Sequence, residues 1–181
     1  MPTRRAGTIE HALTPFQRRR QIEPERAEFL YRLYELLRNA PESSSADSKQ
    51  RSFEAAATGE HHWEVVAISE DALRELHENQ DRRLIQRGHA FSRSQRFHHL
   101  FGPGTRKVSK STLMRFYFEH DVSALVTVKE NSSPGSEHWS DLHPVPEGLF
   151  PAAGFSVKYR KRLERLWVEE QVARLDAARS A

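Results

Sequence analysis

Nine arginines and lysines fall within the 37 residues from Arg82 to Phe118, and no acidic residue interrupts them. They are Arg82, Arg83, Arg87, Arg93, Arg96, Arg106, Lys107, Lys110 and Arg115, with His89, His98 and His99 among them. The whole chain is only +3, so without these nine charges the remainder stands at −6. Charge segregated in this way creates a local positive potential suited to an anionic partner. Phe91, Phe97 and Phe101 interleave with Arg87, Arg93 and Arg96, and arginines among aromatics serve both phosphate contact and base stacking. Internal pairing with the acidic remainder is the competing use of the same cations.

Within this run, Gly102-Pro103-Gly104 ends one short helix, and Ser109 or Ser111 caps another that reaches about His120. Helical stepping places Ser111, Thr112 and Arg115 on one narrow arc, while Leu113, Met114, Phe116, Tyr117 and Phe118 cover the rest. The arc thus shows a guanidinium and two hydroxyls, groups that suit guanine or phosphate. The string Val108-Ser109-Lys110-Ser111-Thr112-Leu113-Met114-Arg115 resembles the recognition-helix segment of helix-turn-helix repressors, which often reads V-S-x-x-T-V-x-R. The resemblance implies that this helix contacts DNA and that Arg115 reaches a base. Arg93–Phe101 would be the preceding helix, although the connection from Gly102 to Val108 exceeds the usual three- or four-residue turn.

A second chemistry comes from imidazoles beside carboxylates: Glu60-His61-His62, Glu119-His120-Asp121 and Glu137-His138, followed by Asp141 and His143. If such groups converge, His120, Asp121 and His138 are the candidates for acid–base cleavage of a phosphodiester. His138, Asp141 and His143 are the candidate metal ligands. Their spacing fits neither a helical i, i+4 pair nor a finger pattern. No nuclease (D/E)-x-K strand, phosphate-binding glycine loop, nucleophile elbow or dinucleotide fingerprint is present, so no cofactor is expected.

Composition narrows the class. With 181 residues, 37% hydrophobic and 29% charged, the chain suits one modest core with polar arms. The absence of Cys excludes disulfides and thiolate sites and suits a reducing compartment. The N-terminal basic residues precede no apolar run, and nowhere do 18 apolar residues follow one another. The expectation is a soluble cytoplasmic protein without membrane contact.

The elements that would position these residues are read from local signals. Residues 1–22 look like a flexible basic arm. Residues 23–40 form a helix opened by Pro24 and stopped by Pro41, with Leu30, Leu33 and Leu37 inward. Residues 41–59, rich in Ser and Ala, read as a linker or disordered loop, and 60–181 as the compact domain. Trp63–Ile68 is a strand, Ser69 caps a helix from Glu70, and Val122–Lys129 alternates as a strand. The last helix, from about Ser156 to Ala178, places Tyr159, Leu163, Leu166 and Trp167 nearly opposite Val168, Val172 and Leu175. That change of face predicts core packing on one side and a homo-oligomer contact on the other.

The expected fold is therefore α+β: a predominantly helical single domain with a small two- to three-stranded sheet, a mobile N-terminal arm and a long C-terminal helix. The expected function is nucleic-acid binding, DNA more than RNA, by a basic surface on residues 82–118. The expected contacts are Arg87, Arg93, Arg96, Arg106, Lys107, Lys110, Ser111, Thr112 and Arg115. A small His/Asp-dependent nuclease and a module that binds an acidic protein are the alternatives.

Overall fold

Pro24 opens α1 (Pro24–Arg38), where its missing N–H costs nothing, and Glu25 stands at the positive end of the dipole. Leu30 and Tyr34 are buried on its inner side, with Leu33 and Leu37 packed beside them. The computed structural model describes residues 22–41, 46–57, 64–79, 82–89, 93–119, 122–132, 139–153, 156–157 and 162–180. Within the expected linker lies a second helix, α2 (Ala46–Ala57). Its inward residues Gln50, Phe53, Glu54 and Ala57 follow i, i+3, i+4, i+7 spacing and are all buried. Two of the four are polar, which hides the stripe from a search for apolar periodicity.

α4 (Arg93–Phe101) and α5 (Lys110–Met114), the latter widening into a π turn over Arg115–Glu119, complete a helical cluster with α1 and α2. Its centre holds Leu30, Tyr34, Phe53, Ala57, Leu100, Leu113 and Tyr117. Phe53 and Tyr117 pack ring on ring with centroids 4.6 Å apart.

The chain also builds a four-stranded sheet from β1 (Glu64–Ser69), β2 (Ile85–His89), β3 (Val122–Thr127) and β4 (Leu142–Pro144), in the order β2-β3-β1-β4. β1 and β3 run parallel at its centre, and β2 and β4 are antiparallel edges. A two-stranded pair, β5 (Ala152–Ala153) and β6 (Ser156–Val157), stands apart. The sequence predicts two or three strands but locates only β1 and β3; it misses β4, the β5–β6 pair and β2, whose residues Ile-Gln-Arg-Gly-His read as basic and turn-like. β3 was expected to alternate, yet Val122 through Val126 are all buried because both sheet faces are covered. On one face α3 (Glu70–Glu78) and α6 (Leu163–Arg179) bring Leu73, Leu76, Val168 and Val172 against Val65, Ile68 and Leu125. On the other, Val66, Val122, Ala124 and Val126 pack with Trp139 and Leu142. The fold is α+β and mostly helical, with a small sheet and a long C-terminal helix, and no described helix is long and apolar enough to cross a membrane.

α6 begins at Leu163 rather than near Ser156. Arg74 of α3 reaches Glu70 on its own helix and Asp176 on α6, and Arg179 returns to Glu70. These pairs fasten the end of α6 to α3. Val168 and Val172 face the core while Leu163 and Leu166 are exposed, but Trp167, expected beside those leucines, packs on the core against Phe150.

A single carboxylate ties the sheet together. Glu130 Oε2 accepts from Ser69 Oγ at 2.8 Å, Thr127 N at 2.7 Å and Thr127 Oγ1 at 2.9 Å. Its Oε1 accepts from the backbone N–H and the hydroxyl of Ser140, each at 2.8 Å. Ser69 in turn caps α3 by accepting from Ala72 N. Burial pushes the Glu130 carboxyl up, but the N–H groups of Ser140 and Thr127 and the two serine hydroxyls outweigh it and hold the pKa below its ordinary value. Nearby, the Trp139 ring lies so close to Gly88 that an added Cβ would stand 2.3 Å from Cζ2.

Two outcomes follow for stability. Glu130→Ala strands several buried donors and should cost on the order of 2–4 kcal/mol in urea unfolding. Because the folded pKa is lowered, the contribution of Glu130 is complete above the ordinary value of 4.5 and is lost as pH falls through the folded one. Glu130→Gln should therefore show a shallower acid limb than wild type, and an identical limb contradicts the assignment. Gly88→Ala, which must displace the indole, should lower stability by about 1–3 kcal/mol.

Candidate nucleic-acid interface

Arg96 sits four residues before Leu100, so both lie on the side of α4 that enters the helical cluster. Its side chain is 1% exposed, and Nη2 lies 3.6 Å from Oε1 of the fully buried Glu54 on α2. Gln50 Nε2 donates to that same oxygen at 2.7 Å and to Tyr117 Oη at 2.8 Å. A buried guanidinium requires a counter-charge, and the stripe of α2 supplies it. The sequence places Arg96 on the contact surface. The structure corrects this: Arg96 is an interior side chain bound to a carboxylate 42 residues earlier.

The rest of the basic run is organised by α1. Beyond α4, Gly104 adopts the left-handed region at φ 72°, and the chain turns back along the helix. Arg38 donates to the carbonyl of Leu100 at 2.9 Å, to Thr105 Oγ1 at 3.1 Å and to the Thr105 carbonyl. Tyr31 Oη donates to the carbonyl of Val108 and Tyr34 Oη accepts from its N–H, each at 3.2 Å. Ser109 then caps α5 by accepting from Thr112 N at 3.2 Å. Its hydroxyl also meets Ser111 Oγ at 3.0 Å and Thr112 Oγ1 at 2.9 Å.

This anchoring decides which cations reach solvent. Lys110 Nζ lies 2.9 Å from Glu28, and Lys107 pairs with Glu35 and stands over the Tyr31 ring. The Lys110 ammonium, then the Arg32 guanidinium, hold the Glu28 carboxyl below its usual range, and Glu35 raises the Lys107 ammonium. Arg106 and Arg115 are exposed, and neither is paired with a carboxylate among the described residues. Ser111 is exposed, while Thr112 is half-buried. Arg106, Lys107, Lys110, Ser111 and Arg115 are therefore each exposed along one continuous segment, while Leu113 and Tyr117 are buried in the helical cluster.

The other candidates do not join this group. Arg87 is half-buried on edge strand β2 and already engaged by a neighbour. Arg93 lies on α4, but its side chain falls outside the described residues, as do His120, Asp121 and His138. Asp141 is exposed, and its backbone carbonyl accepts from Glu70 N at 2.8 Å. His143 sits on β4 opposite Ile68, with Nε2 buried and without a hydrogen-bond partner among the described residues. Among the described residues, no three His, Cys, Asp or Glu side chains are grouped to hold a metal ion. Sequence reasoning missed Glu28 and Glu35, whose seven-residue spacing on one side of α1 was the available signal. The eight residues from Gly102 to Ser109 separate α4 from α5, and α5 spans only five residues before the π turn, so the tight helix-turn-helix is not formed. Comparison with protein-family models, curated proteins and solved structures gives no match.

The role of Arg96 is directly testable. Arg96→Ala should destabilise the fold by about 3–5 kcal/mol, because it leaves Glu54 buried without its guanidinium. Arg96→Met combined with Glu54→Leu should recover most of that loss in urea unfolding. An Arg96→Ala protein of wild-type stability contradicts the buried-pair account.

Proposed function

We propose that this protein binds nucleic acid, DNA in preference to RNA, through the outer side of residues 106–115 rather than the whole of 82–118. The observation that carries the reading is the exposure of Arg106, Lys107, Lys110 and Arg115 along one anchored segment, with the Ser111 hydroxyl between them. Two guanidiniums offer bidentate forks to phosphate or guanine, two ammonium groups add point charges, and the hydroxyl suits a phosphate oxygen. The preference for DNA rests on the resemblance of Val108–Arg115 to repressor recognition segments. The widened turn at Arg115 adds support, because π turns in helices frequently mark functional positions.

The same reading places the protein in the cytoplasm, which suits a chain without Cys. Leu163 and Leu166, exposed three residues apart on α6, would supply an apolar contact for a second copy. Two copies would double the phosphates engaged.

Fluorescence anisotropy with a labelled duplex across a salt series tests the proposal. Affinity should fall by about 0.9 log unit per log unit of salt for each phosphate neutralised. Alanine at Arg106, Lys107 and Lys110 together should weaken binding at least tenfold and flatten that slope. No binding at low salt, or an unchanged slope in the variant, contradicts it. Capture of an acidic protein with no duplex binding transfers the surface to a protein partner.

A further inference from the structure

The segment that carries the exposed cations lies against an acidic side of α1. Glu28 and Glu35 are two helical turns apart, about 10.5 Å along the axis, and the segment passes them in the opposite direction. Lys107 therefore meets Glu35 and Lys110 meets Glu28, with Tyr31 between the two pairs. Both lysine side chains remain about half exposed, at 54% and 47%. Exposed ion pairs of this kind are weak and are readily exchanged for another anion, unlike the Arg96–Glu54 pair in the interior.

We infer that Glu28 and Glu35 act as a built-in competitor for the nucleic-acid surface, holding Lys110 and Lys107 in intramolecular pairs that a bound phosphate backbone must displace. The inference rests on the reading of residues 106–115 as that surface and concerns its regulation. Arg106 and Arg115 have no carboxylate partner among the described residues, so they make the first contact, and the two lysines are recruited only as α1 gives them up. The exchange does not require the segment to unfold. Arg38 holds Thr105 and Tyr34 holds the backbone N–H of Val108 through bonds that involve neither lysine. Glu28 retains Arg32, 3.0 Å away, after Lys110 leaves, which limits what the release costs. By linkage, a change confined to the lysine–glutamate pairs that weakens them strengthens binding, and binding loosens those pairs in turn.

The test uses the full chain carrying Glu28→Gln and Glu35→Gln together, a labelled duplex, and the same salt series. The double variant should bind about five- to tenfold more tightly at low salt, with a salt slope steeper by about 1–2. Glu75→Gln with Glu78→Gln on α3 makes the same change in net charge away from the segment and should shift affinity less than twofold. Equal affinity of wild type and the Glu28/Glu35 variant overturns the inference while leaving the surface in place. An equal gain from the α3 variant also overturns it, since general attraction then explains the effect. If none of the three proteins binds the duplex, the underlying reading fails as well.

Discussion

A guanidinium taken out of water must find a negative partner in the interior, and that demand shapes the helical half of this protein. Arg96 of α4 enters the cluster beside Leu100, and Glu54 of α2 is there to meet it, with Gln50 bridging to Tyr117. The pair thereby sets how α2, α4 and the turn after α5 lie against one another. With α4 held inward, the chain leaving it at Gly102 has α1 alongside to run against, and Arg38, Tyr31 and Tyr34 take hold of its backbone. The sheet half has its own counterpart in Glu130, whose charge is balanced by hydrogen-bond donors rather than by a cation.

The distribution of charge follows from this packing. A run of nine cations without an acid suggests a broad basic surface, yet the fold sends its members to different places. One is buried, two sit on glutamates of α1, and two stand exposed without a carboxylate partner among the described residues. The acidic remainder of the chain therefore offsets the basic run at particular addresses. What is left is a short segment whose backbone is firmly held and whose cations differ in how readily they can be given to a partner.

Much of the local structure was legible because its signals are local. Pro24 and Pro41 frame α1, Ser69 and Ser109 cap the helices that follow them, and β-branched residues mark β1 and β3. α2 was not legible, since Gln50 and Glu54 count as inward residues only when Arg96 and Tyr117 are known to face them. β2 was hidden for a related reason. Gly88 weakens a strand in isolation but makes room here for Trp139, a residue 51 positions away. For the candidate site, the sequence named Arg106, Lys107, Lys110, Ser111 and Arg115, all of which are exposed in the structure. It could not separate them from Arg96, because a count of charges carries no information about which face of α4 turns inward.

The most direct test is a titration of isotopically labelled protein with a short duplex, followed through the backbone amide resonances. The account predicts that shifts concentrate at residues 105–115 and at Glu28, Arg32 and Glu35 of α1, while Arg96, Glu54 and the sheet around Glu130 stay unchanged. Shifts centred on the sheet or on α6, or none at all at low salt, would contradict it.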